Sequence, residues 1–278
     1  PMENWALRTC GWRHELVLQN DNWGDQARIG MFIVGSEAVP EAEWWAMLPS
    51  NVSVHAARIT APAPWARWRE NRVGLDLADD LIRGSQQFSA MRLSVVVVGH
   101  SSSSFVGTKG WDEAVVENLA ATIGSNAIVT TNGLDIFAAL RASGIRRPFV
   151  VLPPWFNDET MNAGVRYYED HGYEVAAHLR YDPGPKWRDL PPGDLYRHGL
   201  GFEQQVDTLY EQIKASCPAT ADGILIAGTG FRCVAILEAL EQELERPVIS
   251  ANQASLWHCL QLAGVKADIT GYGKLLRL

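Results

Sequence analysis

Several protein classes are excluded by what this chain has little of. It holds four cysteines in 278 residues, Cys10, Cys217, Cys233 and Cys259, with no CxxC pair and no regular spacing. Neither a zinc ribbon nor a disulfide framework is compatible with that pattern, and a reducing, cytoplasmic setting is expected. Basic residues do not predominate: 24 Lys and Arg against 32 Asp and Glu leave a formal charge of −8, so nucleic acid is not an expected partner. No apolar run is long enough for a membrane span, and no membrane partner is expected. The opening residues 1–27 lack the apolar core of a signal peptide and read as an N-terminal arm that either docks through Trp5, Trp12 and Trp23 or is partly disordered. Low-complexity sequence is confined to one serine tract, and the histidines His14, His55, His171, His178, His198 and His258 lack metal-ligand spacing, so no metal is expected.

What is present is an alternation. From Arg28 onward, eight short runs rich in β-branched residues ("RIGMFIV", "VSVHAARI", "LSVVVVG", "NAIVT", "RPFVVLP", "EVAAHLRY", "GILIAG", "PVISA") are separated by longer segments of helical period. That is the pattern of an α/β protein with parallel sheets. The helical segments include "GLDLADDLIRGSQQFSAM", "WDEAVVENLAATIG", "NGLDIFAALRASGI", "GFEQQVDTLYEQIKAS" and "QASLWHCLQLAG". Gly144 and Gly172 stand where helix C-caps are expected. The stretch "YDPGPKWRDLPPGDLYRHG" is rich in Pro and Gly and reads as a long connecting loop.

Two stretches half a chain apart echo each other. "LSVVVVGHSSSSF" and "DGILIAGTGFRC" each run from an apolar strand through glycine and small hydroxyl residues into a helix. Parallel sheets collect ligands at the carboxyl ends of their strands, so the two ends predict one cleft between two lobes. Candidate binding residues are Ser101, Ser102 and Ser104 in the first loop and Gly228, Thr229 and Gly230 in the second. Trp155 and Phe156, after "VVLPP", either line an apolar pocket or cover a sheet edge. His100 is the candidate acid or base, an imidazole titrating near ~6.5 when unperturbed. Glu37, after the first strand, is the carboxylate to watch. Cys233 reads as a buried structural thiol.

In this order and spacing the loops resemble the aspartate/glutamate racemase superfamily, in particular its arylmalonate decarboxylase and maleate cis-trans isomerase branch. The motifs carrying the likeness run from "RIGMFIV" through "GHSSSSF", "NGLDIFAALRASGIRRPFVVLPPW" and "DGILIAGTG" to "RPVISANQASLWHCLQLAG" and "GYGKLL". The resemblance implies two pseudo-symmetric, Rossmann-like α/β/α lobes with parallel sheets and the active site between them. The lobes are expected at 28–124 plus 250–278 and at 125–249. It also implies chemistry without a cofactor, through an enolate or enediolate of a small carboxylic acid. Family racemases and isomerases carry a cysteine at the end of each of two equivalent strands; the decarboxylases keep only the second and hold a carboxylate in a hydroxyl-rich dioxyanion hole.

This chain departs at both thiols, having His100 at the first position and Gly228 at the second. Ser101 and Ser102 match the hydroxyl pair of the hole, while Trp155 replaces a tyrosine that donates to the same carboxylate. Two-thiol racemisation and thiol addition to a double bond are therefore not expected. The expected activity is that of a lyase or isomerase acting on a small, aryl- or alkyl-substituted mono- or dicarboxylate, most simply a decarboxylase, with His100 moving the proton. Two alternatives stay open: a hydrolase using water or a serine activated by His100, and a carboxylate-binding homologue without catalysis. The expected partner is a small carboxylate substrate, and a homo-oligomer is compatible with this reading.

Overall fold

The computed structural model describes residues 21–124 and 127–278. Trp5 and Trp12 lie outside the described residues. Trp23 does not dock as expected: it is 65% exposed, with the Arg28 guanidinium over its ring at 4.9 Å.

Among the described residues ten strands are formed: β1 (Ala27–Val34), β2 (Val52–Ile59), β3 (Ala66–Trp68), β4 (Leu75–Leu77), β5 (Val95–Val98), β6 (Ile128–Thr131), β7 (Pro148–Leu152), β8 (Ala177–Arg180), β9 (Gly223–Ile226) and β10 (Val248–Ser250). The helices are α1 (Val39–Met47), α2 (Asp79–Ser89), α3 (Ser101–Gly107), α4 (Trp111–Ile123), α5 (Asn132–Ala142), α6 (Asp158–Asp170), α7 (Pro192–Leu195), α8 (Leu200–Glu203), α9 (Val206–Ser216), α10 (Leu237–Leu244) and α11 (Ala251–Leu262). All eight apolar runs became strands. The hairpin β3–β4 was not foreseen, and its second strand takes the start of the segment expected to be helical from Gly74.

Two four-stranded parallel sheets result, in the orders β2-β1-β5-β6 and β10-β9-β7-β8. Reversed, the second reads β8-β7-β9-β10, so each lobe repeats one order: second, first, third, fourth strand. Parallel strands covered by helices on both faces are buried throughout, which is why Val95–Val98 and Gly223–Ile226 could be continuous apolar runs. The lobe boundary expected at residue 125 moves, because β6 pairs with β5 from Val95↔Ile128 to Val98↔Thr131 and closes the first sheet. Only the helix after it, α5, packs onto the second sheet, through Ile136, Phe137 and Leu140 against Val150 and Leu152.

The connection leaving β1 goes to one side of the sheet and the chain re-enters on the other side at β5, so β1 and β5 flank a point where winding direction reverses. The same holds for β7 and β9. Such reversals leave a crevice outside the carboxyl ends of the two strands. The two lobes present theirs to one another.

Candidate active site

Each of the four strands at the reversals ends in a short loop, and all four loops line one cavity of about 580 Å³. From β1 come Ser36 and Glu37, and from β5 come His100, Ser101 and Ser102. Trp155 and Phe156 follow β7, and Gly228, Thr229 and Gly230 follow β9. Nine of the ten expected residues, Glu37 among them, are thereby brought together; Ser104 is not.

Ser104 is fully buried on the far side of α3 and donates to Asp112 Oδ1 at 2.7 Å. Thr131 donates to the same oxygen at 2.6 Å, and the Tyr167 hydroxyl to Oδ2 at 2.6 Å. One helical turn separates exposed from buried faces, and the sequence of four serines could not show which of them faced outward.

Ser101 and Ser102 also differ. The Ser101 hydroxyl donates to Asn132 Oδ1 at 2.5 Å, while both protons of the Asn132 amide are taken, by Ala251 O and Ser255 Oγ, each at 2.9 Å. Asn132 can therefore present only its oxygen, and Ser101 turns lone pairs rather than its proton to the cavity. The expected pair of hydroxyl donors reduces to one.

That one is Ser102, 2.8 Å from His100 Nε2. On the other side of the ring, Nδ1 lies 2.8 Å from Ser103 Oγ, which already accepts the Trp65 amide at 3.0 Å. The assignment that leaves no donor orphaned runs in one direction: Trp65 N–H to Ser103, Ser103 O–H to Nδ1, Nε2–H to Ser102, and the Ser102 proton toward the cavity. Trp65, from "APAPWARW", also stacks on the imidazole at 4.2 Å. Burial under it lowers the His100 pKa to about 3, so the ring is neutral and does not titrate near pH 7 as expected. Gly99 lets the exit from β5 lie close against β1, since a Cβ there would stand 2.9 Å from Phe32 O.

Glu37 behaves oppositely. Its side chain is 7% exposed, and burial raises its pKa to about 8 against the small opposing effect of the Thr229 hydroxyl, which donates to Oε2 at 3.5 Å. It is a carboxylic acid at neutral pH. Any side chain at Gly230 would press on it, a Cβ falling 2.4 Å from Oε1.

The loops are pinned alike in both lobes. As Asn132 after β6 holds Ser101, so Asn252 after β10 donates to Thr229 O at 2.9 Å, its other bond going to Glu43 Oε2 at 2.6 Å. Glu43 in turn accepts the amides of Cys233 and Val234 at 2.6 and 3.0 Å, tying α1 of the first lobe to the second.

The remaining wall was missed from the sequence. The stretch expected to be a plain connecting loop, residues 181–199, carries α7 and lines the cavity with Tyr196 and Arg197, and Phe202 joins them from α8, at the start of the segment expected to be one helix, which breaks at Gln204 and Gln205. Among the described residues no cysteine lines it. Cys233 is buried, and burial first, then the Glu43 charge, push its thiol well up. Among the described residues no group of three or more His, Cys, Asp or Glu is placed to hold a metal ion, and no helix is long and apolar enough to cross a membrane.

Known proteins with this arrangement can now be compared. Maleate isomerase Iso from Pseudomonas putida S16 superposes with a TM-score of 0.75 at 19% identity, over 90% of this chain and 98% of its own. The maleate cis-trans isomerase of Nocardia farcinica gives 0.73 at 18%, over 90% and 98%. An arylmalonate decarboxylase gives 0.67 at 20%, over 90% and 98%. The family model of arylmalonate decarboxylase matches residues 198–276. The chain has the two-lobed fold of these enzymes. The likeness to this branch of the aspartate/glutamate racemase superfamily, read from the loop order, holds in the fold and in the matched carboxyl-terminal part. No curated protein sequence matches.

Proposed function

We propose that this protein is a cofactor-independent decarboxylase of small malonate-type acids carrying an aryl or alkyl substituent. One observation carries the reading: Glu37, protonated at neutral pH, shares a cavity wall with an oriented hydroxyl, Ser102, and with the apolar side chains Trp155 and Phe156. The diacid loses one carboxylate as CO₂, and the electrons of the broken C–C bond pass into an enediolate of the carboxylate that stays. Ser102 O–H stabilises the growing negative charge. Glu37 gives its proton to the α-carbon and regains one from water. His100 is reassigned from proton donor to positioning residue, because a neutral ring hydrogen-bonded at both nitrogens directs Ser102 and has no second proton to give.

The alternatives fare less well. A hydrolase would need Nε2 free to take the Ser102 proton, whereas the network places a proton on Nε2. Isomerisation through a thiol, of the kind suggested by the covalently bound succinylcysteine intermediate described for the Nocardia farcinica enzyme, finds no cysteine among the described residues that line this cavity. The test is turnover of phenylmalonate in D₂O, followed by CO₂ release and by NMR of the α-carbon. The expected result is one deuterium at that carbon, with the rate lost in Glu37→Gln. Absence of CO₂ from every substituted malonate tried would overturn the reading, and full activity of Glu37→Gln would remove Glu37 from it.

A further inference from the structure

The segment from Asp182 to Gln205 is held over the cavity at several points. Trp187, Leu195 and Leu200 form a small buried cluster against Trp155. Near its end the Gln204 amide clasps the backbone at Arg232 in both directions, donating to O at 2.7 Å and accepting from N at 3.1 Å. The Tyr181 hydroxyl donates to Gln205 O at 3.2 Å. These bonds seat Tyr196 against Trp155, ring edge to face at 4.9 Å. Gly201 is small because a Cβ there would come within 2.4 Å of the Tyr196 ring.

The hydroxyl at the end of that ring is buried and has no hydrogen-bond partner among the described residues. A buried hydroxyl left unpaired is destabilising, and native structures tolerate few of them. The ring lines the same cavity as Glu37. Burial, and then the Glu37 charge, raise the phenol's pKa, so it remains a donor across the physiological range. Protonated Glu37 and phenolic Tyr196 both supply protons to one space, and each calls for an acceptor. The neighbouring Arg197, ion-paired with Asp194, brings positive charge to the same wall.

We propose that Tyr196 is a substrate-binding residue whose hydroxyl donates to a carboxylate oxygen of the acid, making the Asp182–Gln205 segment the element that selects among acids. The inference rests on the cavity being a carboxylic-acid site, and the experiment separates the two. Malonate, phenylmalonate and phenylacetate are titrated calorimetrically into the full-length protein and its Tyr196→Phe variant, and thermal unfolding of both is recorded without ligand. The expected result is a loss of affinity of about tenfold or more in Tyr196→Phe, the range for a hydrogen bond to a charged group. The variant's melting temperature should be unchanged or raised, since an unpaired buried hydroxyl has been removed. Equal affinity in both proteins overturns the role of Tyr196 and leaves the acid site standing. A lowered melting temperature overturns it too, by showing that the hydroxyl is structural. If none of the three acids binds the unmodified protein, the acid site falls and this inference with it.

Discussion

In the first lobe the loops leaving β1 and β5 bring Ser36, Glu37, His100, Ser101 and Ser102 to the cavity, whereas the equivalent loops of the second lobe, after β7 and β9, bring Trp155, Phe156, Gly228, Thr229 and Gly230. The frame is repeated, down to Asn132 and Asn252 tying each third-strand loop to the residue that opens the helix after the fourth strand. The chemistry is not repeated. Every ionisable group that these four loops bring to the cavity belongs to the first lobe, and the two second-lobe loops contribute shape, apolar surface and close backbone approach, while Tyr196 and Arg197 reach the wall from the segment between β8 and α9. A site built this way delivers a proton from one side. It suits decarboxylation followed by protonation on one face, and does not suit inversion, which needs a group on each.

The comparison breaks most severely at Glu37. Glu37→Gln keeps the acceptor for Thr229 and removes the acid, and decarboxylation should fall by roughly 10²–10⁴-fold. Trp155→Phe, in the other lobe, keeps an aromatic wall and should change turnover by less than about tenfold, with the effect mainly in KM. Steady-state kinetics on both variants measure the asymmetry directly. Comparable losses would mean that the lobes share the chemistry after all.

A finer division runs within one loop. Ser102→Ala removes the hydroxyl whose proton is free and should lower kcat by about 10²-fold, as for loss of one oxyanion donor. Ser101→Ala removes a hydroxyl already committed to Asn132. Its kinetic effect should be several-fold smaller, with the larger change seen in denaturant midpoints.

The shared frame predicts similar costs in both lobes. Asn132→Ala strands Ser101, and Asn252→Ala strands a carboxylate oxygen of Glu43; each should destabilise by about 2–3 kcal/mol in urea unfolding. A marked difference between them would show that the pseudo-symmetry does not extend to the anchoring.

The smallest effect is a pH dependence with two opposed parts. Glu37 has its pKa raised from 4.5 to about 8. Between those values the folded state keeps a proton that the unfolded chain has lost, so this stability is full below 4.5 and declines as pH rises to 8. His100 is lowered from 6.5 to about 3, so its contribution is full above 6.5 and declines as pH falls to 3. From 4.5 to 6.5 the two slopes oppose one another. From 6.5 to 8 His100 no longer opposes Glu37, while the buried carboxyls of Glu43, Asp112 and Asp135 are shifted upward as Glu37 is, and Glu37→Gln should reduce the slope of that limb by up to about 1.4 kcal/mol per pH unit in chemical denaturation measured across pH.

Much of the site was legible because it follows strand ends. The valine run and "GILIAG" marked two buried strands, and a strand that ends in glycine and hydroxyl residues in a parallel sheet announces a loop at the ligand edge. What could not be read was direction. Which of Ser101, Ser102 and Ser104 offers a proton depends on Asn132 and Asp112, which lie 31 and 8 residues away along the chain. The protonation of His100 and Glu37 depends on burial under Trp65 and against Gly230, contacts that leave no periodic trace. Tyr196 was hidden in a Pro- and Gly-rich stretch whose composition says only that the chain turns.

From the order of residues alone came the parallel α/β architecture, the two echoing loops and the absence of a thiol at either of them, because apolar periodicity and residue identity are local properties. The tertiary structure decided which lobe holds the ionisable groups, which hydroxyl is free and where the acid resides. Those depend on desolvation and on hydrogen bonds between residues far apart in the chain, and neither is set until the two lobes close on each other.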